Sequence, residues 1–448
     1  MLTQANDLDR VYPGLEWLGG DFPSMEEPWP SSPHCGAHHG CDDGGPEAER
    51  NAIQAYARNQ PWRWPGRPHL FFSDMHADTD AFLRSLIASR GVVKTGPQDG
   101  DLALTGFGRQ ACFVIGGDCF DKGPENLRLL RALKSLRDTG ADIVILVGNH
   151  DLRTYLGLAC PTARDPRHAH LFVRMGKKTV PLFREIFDQY LSADRTNLNL
   201  LTDGEVRERL FPDDSWYREF PAAVEGILSD MQIDKELKRI REKSAEFQTH
   251  CELHGLSLGM VYAALEKARA LFLDPAGEFF WFFDKMRLAH QAGSFLMVHA
   301  GLDDHIADII RDAGVAAVNA AYRRAIGGDL FELYNGPLGN VFRTKYRQND
   351  FPLTATGLKN VHAAGIYAVI HGHRNLLAGQ RMTLRSGLLN FECDASVDSG
   401  TRRLEGLSGP GGAVTILHPD ACVLGISADY PKIKKFSPVN FCQLTTII

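Results

Sequence analysis

Short apolar runs along the chain repeatedly end in small polar clusters. Leu70-Phe71-Phe72 runs into Ser73-Asp74-Met75-His76, and Ala111-Cys112-Phe113-Val114-Ile115 into Gly116-Gly117-Asp118. Ile143-Val144-Ile145-Leu146-Val147 ends in Gly148-Asn149-His150-Asp151. Phe295-Leu296-Met297-Val298 stops at His299-Ala300-Gly301, and Ile366-Tyr367-Ala368-Val369-Ile370 at His371-Gly372-His373. Runs this short, rich in β-branched and aromatic residues, read as buried strands. Between the second and third runs Pro124 is expected to open a helix. Its stripe is Leu127, Leu130, Leu133 and Leu136, widened by Leu129, and Gly140 ends it. Strand, helix and strand in succession imply a right-handed βαβ crossover and an α/β sheet.

The pattern changes over residues 152–290, where charged helical stretches such as Asp234 to Gln248 accompany the aromatic cluster Phe279-Phe280-Trp281-Phe282-Phe283. This segment is expected to be a helical insertion, a cap between two parts of one catalytic domain, residues 67–151 and 291–448. The charge run Lys235 to Lys243 reads as a solvated helix face. A further helix is expected from Asp303 to about Ile326, and terminal strands at Ala413–Leu417 and Cys422–Leu424. Residues 1–66, rich in Pro, Gly, Trp and His, read as an irregular extension lying on the main domain. Within it, the stretch from Ser32 to Cys41 reads as a flexible loop, because its Cys and His spacing matches no common zinc module.

Composition narrows the function classes. A formal net charge of −6 argues against a nucleic-acid partner held by phosphate neutralisation. It leaves room for a phosphorylated substrate, because bound cations can supply positive charge. No stretch approaches the roughly 18 apolar residues of a membrane helix, and the start MLTQANDLDR lacks the basic and apolar regions of a secretory signal. No membrane partner is expected. The nine cysteines are odd in number and several lie in apolar runs. They read as reduced thiols, so a cytoplasmic location is expected.

The carboxyl ends of strands in an open α/β sheet line the crevice where ligands bind. If the apolar runs are neighbouring strands, Asp74, His76, Asp118, Asp121, Asn149, His150, His299 and His373 converge there. Carboxylate oxygens mixed with imidazole nitrogens suit Mn, Fe or Zn better than an all-oxygen calcium site. The set is large enough for two ions with one aspartate bridging.

These blocks resemble, in order, those of the calcineurin-like metallophosphoesterase superfamily: Asp74-Met75-His76, Gly117-Asp118-Cys119-Phe120-Asp121, Gly148-Asn149-His150-Asp151, His299 and Gly372-His373. Asp121-Lys122-Gly123-Pro124 and Val298-His299-Ala300-Gly301-Leu302 are similar to the phosphoprotein-phosphatase-like branch. Asn335-Gly336-Pro337-Leu338 followed by Arg343 is similar to its Shewanella-like members. The resemblance covers residues 68–151 and 293–400. Lys122 stands where that branch has a phosphate-binding Arg, Ala300 replaces a Gly, and Arg374-Asn375 follows Gly372-His373, so the second His of the superfamily's Gly-His-x-His ending is missing. His371 takes that role only if the register shifts; otherwise it packs behind the ligands.

The resemblance implies a metallophosphoesterase-type β-sandwich flanked by helices, with a mainly helical insertion. It implies two divalent metal ions (Mn, Fe or Zn), with Asp74 and His76 holding the first, Asp118 bridging, and Asn149, His299 and His373 completing the second. His150 is then the general acid and Asp121 the residue that orients it. Two cations stabilise the attacking and leaving oxygens of an in-line displacement and activate a bridging hydroxide, and His donates a proton well near neutral pH. Arg343, Lys122 and Arg153 are candidates to bind the phosphate oxygens of a phosphorylated protein or small molecule. The expected activity is phosphomonoester hydrolysis. The alternatives are a phosphodiesterase or dinucleoside-polyphosphate hydrolase, and a non-catalytic metal-binding scaffold, which would have no need of His150 and Asp121.

Overall fold

A computed structural model describes residues 22–29, 45–123, 125–194 and 198–438. Two sheets form its centre. In the larger, the order is Glu26–Pro28, Ile433–Phe436, Cys422–Ser427, Ala413–His418, His69–Phe72, Cys112–Ile115, Asp142–Leu146 and Met286–Arg287. The smaller runs Arg381–Arg385, Leu388–Glu392, Ala368–His371, Phe295–Met297 and His290–Ala292. The strands that carry the polar clusters pair in parallel within each sheet, so their carboxyl ends share one edge.

Alternation along each strand sends side chains to opposite faces. Phe71, Val114 and Val144 point into a buried layer shared with Phe295, Met297, Ile370 and Phe391 of the second sheet. Leu70, Phe72, Phe113, Ile115 and Ile145 point the other way, into the core formed with the helices. Both faces are covered, which is why these strands read as unbroken apolar runs. This α/β sandwich with flanking helices is the expected fold class.

The helix between the second and third clusters spans Asn126–Asp138 and buries Leu127, Leu129, Leu130, Leu133 and Leu136. Pro124 lies outside the described residues. The long helix Asp304–Ile326 is capped by the Asp303 carboxylate, and strands occupy Ala413–His418 and Cys422–Ser427. From Asn149 to Asp284 the described residues form helices and helical turns without a strand. They share one apolar core with the sandwich. Phe120, between Asp118 and Asp121, stacks on Phe283 at 5.8 Å and meets Phe272 and Phe282 edge-on at 5.7 and 5.5 Å. Each such aromatic pair adds about 0.5–1.5 kcal/mol beyond burial, so the aromatic cluster anchors the Asp118–Asp121 loop.

Two expectations need correction. The N-terminal extension is not irregular throughout, because Gly45–Asn59 is a helix and Glu26–Pro28 a strand parallel to Ile433–Phe436. The helix buries only Ile53 and Ala57, an i, i+4 pair too sparse to stand out among Pro, Gly and Trp. The stretch Ser32 to Cys41 lies outside the described residues. The charge run sits on the helix Asp230–Leu253, where Lys235, Lys238 and Arg241 are exposed but Glu236 is buried. Glu236 pairs with Arg174 at 2.8 Å and Arg239 at 3.0 Å. Charge density alone cannot tell the outer face from the inner one.

The six described cysteines are unpaired and, Cys160 excepted, buried. Among the described residues, no helix is long and apolar enough to cross a membrane.

Candidate metal centre

The loops leaving the strand ends are strained. Asp74, His76, Asp118, Asp121 and His373 adopt φ of 57°, 44°, 57°, 70° and 69°. Residues other than glycine rarely adopt the left-handed region, and where they do the strain clusters at functional sites. Two glycines let the loops come together. A Cβ on Gly117 would sit 2.6 Å from the Gly148 nitrogen and 2.8 Å from His299 Nδ1. One on Gly372 would sit 2.0 Å from Asp74 Oδ2.

The result is two ligand groups with one member in common. Asp74, His76 and Asp118 offer atoms within 4.8 Å of one another, and so do Asp118, His299 and His373. Asn149 Oδ1 lies 3.3 Å from His299 Nε2. Backbone carbonyls fix the rings. His76 Nδ1 contacts the Phe120 carbonyl at 3.1 Å and His299 Nδ1 the Gly116 carbonyl at 2.7 Å. With Nδ1–H donating to a carbonyl, the Nε2 lone pair is left for a cation. Those Nε2 atoms lie 3.9 and 3.4 Å from Asp118 Oδ2. His373 Nε2 instead contacts the Arg343 carbonyl at 3.1 Å, which leaves its Nδ1. Asp74 Oδ2 accepts the Ser73 hydroxyl and the His373 amide.

Burial penalises the charge on Asp118, yet His299 and His150 hold its carboxyl well below its ordinary range. Against its own burial, His299 is raised to about 10 by Asp118 and Asp74. A site that binds a proton this tightly is built for positive charge, and a divalent cation would displace that proton. The donor set therefore fits a pair of borderline cations.

His150 stands beside this centre. Its Nδ1 is 2.7 Å from Asp121 Oδ2 and its Nε2 is 3.9 Å from Asp118 Oδ2. Asp121 thus turns Nε2 toward the two ligand groups. Asp151, which has no role in the sequence reading, fastens the loop. Its carboxylate accepts the amides of Asp118, Cys119 and Phe120 at 2.8, 2.8 and 3.1 Å. Burial and the neighbouring Asp118 charge push it up to about 7.

Of the expected phosphate binders, Arg153 and Arg343 meet around Tyr334. Arg153 Nη2 is 3.5 Å from the phenol oxygen, and the Arg343 guanidinium lies 4.6 Å from the ring centroid. Arg174 joins them at 5.6 Å. Burial opposes phenolate formation, but these three guanidiniums pull the Tyr334 phenol down to about 6. Lys122 does not join this cluster; its charge acts on His76 and Asp394.

Four residues near the centre carried no motif. Lys178 and Arg174 come from the helical region, Tyr334 from the helix Leu330–Asn335 and Asp394 from the end of the strand Leu388–Glu392. Lys178 feels the charges of Lys122, Asp121 and Arg153. Asp394 is buried beside Asp74, and burial with that like charge raises its carboxyl.

His371 is in neither ligand group. It pairs across the sheet with Glu392, and burial holds it neutral, near 4. Glu392 is buried and gathers Arg374, Arg381 and Arg385. Burial opposes its charge, but His371 and the arginines win and lower it from 4.5 to about 2. A depressed carboxylate contributes stability that is present above its unfolded value and lost as pH falls through the folded one. Glu392→Gln is expected to cost about 3 kcal/mol at neutral pH, the low end for a broken buried pair because the arginines are partly exposed. Denaturant unfolding should show that gap narrowing as pH falls from 4.5 toward 2.

A family model described as calcineurin-like phosphoesterase matches residues 68–266. A cold-active protein-tyrosine phosphatase of a psychrophile, Shewanella sp., is similar at 15% identity and a TM-score of 0.40, over 85% of this chain and 84% of that one. A protein serine/threonine phosphatase from Saccharomyces cerevisiae is similar at 11% identity and a TM-score of 0.37, over 87% and 88%. No curated protein matches. The family model covers the first three blocks and the fold brings the last two to the same point, so residues 68–266 are similar to the calcineurin-like phosphoesterases.

Proposed function

We propose that the chain hydrolyses phosphomonoesters, using two divalent cations of the Mn, Fe or Zn type at the ligand groups that share Asp118. A bound pair of cations supplies Lewis-acid stabilisation of the attacking and leaving oxygens and an activated water. The remaining work belongs to side chains. Asp121 orients His150, whose Nε2 gives the leaving oxygen its proton. Arg153 and Arg343 grip the non-bridging phosphate oxygens, and Lys178 adds charge at the rim. The reducing interior of the cytoplasm suits the unpaired cysteines.

The observation that carries the monoester reading is the guanidinium charge at Tyr334, which a single phenol offsets only in part. Among the described residues Arg153 and Arg343 make no ion pair with a carboxylate, and the Nε of each is buried without a partner. A monoester dianion presents more charge to such a cluster than a diester does. The chelator-stripped protein, given back Mn²⁺, should turn over p-nitrophenyl phosphate faster than its bis ester or a diadenosine polyphosphate. Arg343→Ala should raise KM for the monoester about tenfold, since one hydrogen bond to a charged group contributes about 1.5–3 kcal/mol. Preference for the diester, or no recovery with any divalent metal, refutes the proposal.

A further inference from the structure

Between the two sheets, built on the amino ends of three of the strands that lead to the candidate metal centre, lies another cluster of metal-binding side chains. His69 opens one strand, Cys112 its neighbour and Asp142 the next. His69 pairs in register with Cys112, and Cys112 with Asp142. Residues in register on adjacent strands point to the same face. Here it is the face of Phe71, Val114 and Val144, toward the second sheet. From that sheet His290 points back, two residues before Ala292 of the same buried layer.

The ligand atoms of His69, Cys112 and His290 lie within 4.8 Å of one another. The two imidazole centroids are 5.3 Å apart. His69 Nδ1 contacts the Arg67 carbonyl at 3.1 Å, which leaves Nε2 for the cluster. His290 Nε2 is buried and has no hydrogen-bond partner among the described residues. A buried ring nitrogen without a partner is costly, and a cation at the centre of the three side chains would supply one.

We propose that His69, Cys112 and His290 form a further metal site, for a zinc-type cation, that ties the two sheets together. Two imidazoles and a thiolate suit zinc and disfavour Mg or Mn. Asp142, whose charge acts on all three, stands beside them to complete four-coordination. It now pairs with Arg67, and both side chains are about half exposed, at 51% and 46%, so the cluster has a solvent side. Burial keeps both imidazoles neutral, near 4, the form that coordinates. The same burial pushes the Cys112 thiol up to about 12, so metal binding releases its proton.

Cobalt titration of the full-length, chelator-stripped protein tests this. Neither ligand group of the catalytic centre contains a cysteine, so a thiolate-to-cobalt charge-transfer band arises outside that centre, and its loss in Cys112→Ser assigns it to the new site. The expected result is such a band, with the strong visible bands of four-coordinate cobalt, the charge-transfer band disappearing as excess Zn²⁺ is added. Cys112→Ser should lose the charge-transfer band and keep Mn²⁺-dependent turnover. His290→Gln, on the rim, should move the titration midpoint to higher cobalt. Absence of the band in the natural protein, its persistence in Cys112→Ser, or an unchanged midpoint in His290→Gln overturns the proposal. The His290 variant decides the matter should the Cys112 variant not fold.

Discussion

Replacing His150 by alanine is expected to leave both ligand groups intact and to lower turnover of an alkyl phosphate by about 10²–10⁴-fold, the usual worth of a positioned general acid. The ring's polar contacts are to Asp121 through Nδ1 and toward Asp118 through Nε2, it meets the His76 ring edge-on at 5.0 Å, and it belongs to neither ligand group. Metal content should therefore stay at the natural level. Turnover of p-nitrophenyl phosphate should fall far less, because its leaving group departs without a proton. Parallel kcat measurements on the two substrates, with metal analysis of the same samples, check this. Equal losses on both would remove His150 from the acid role. Asp121→Asn provides the sign of the pH effect. Burial lowers the His150 pKa, while Asp118 and the hydrogen bond that His150 donates to Asp121 raise it. Removing the Asp121 charge lowers it further, so the protonated acid is lost at a lower pH. The alkaline limb of kcat/KM should move to lower pH, and a limb that moves upward would contradict the pairing.

Much of the candidate centre is legible because the fold brings together polar side chains at a fixed place, just past the end of a doubly buried strand. Asp74, Asp118, Asn149, His299 and His373 each follow an unbroken apolar run, and those runs are neighbours in the sheets. Asp394 obeys the same rule but was hidden, since its strand, Leu388–Glu392, contains Asn390 and Glu392. Both are buried, Asn390 against the Leu388 carbonyl of its own strand and Glu392 among three arginines that only the fold brings to it. Lys178, Arg174 and Tyr334 were illegible for a related reason. Apolar periodicity reports which face of a helix is inside, and says nothing of which polar residue at the rim meets a loop far away in the chain. The inward Glu236 on a helix that reads as solvated makes the same point. The amino-end cluster escaped notice because His69, Cys112 and His290 belong to strands of two sheets, with no shared spacing in sequence.

Asp118→Asn is expected to have the largest effect of any single change, emptying both ligand groups at once. Asp118 Oδ1 accepts the His150 amide at 2.8 Å. Oδ2 faces His76 Nε2 and His150 Nε2 at 3.9 Å each and His299 Nε2 at 3.4 Å. The backbone amide dictates how an asparagine would sit, with its carbonyl oxygen kept on that donor. The NH₂ group then takes the place of Oδ2, aiming two positive hydrogens at the space both cations need. Charge is lost and replaced by repulsion in a buried setting, where neither is screened. Metal content should fall from about two ions per chain to well under one. Turnover should fall by more than the ~10²–10³-fold that losing a single stabilising donor costs. His76→Ala and His299→Ala serve as contrasts, since each belongs to one group only. Each should lose one ion in preference to the other. If Asp118→Asn retains one ion at natural affinity, Asp118 does not bridge, and the shared-ligand geometry on which the two-cation chemistry depends is wrong.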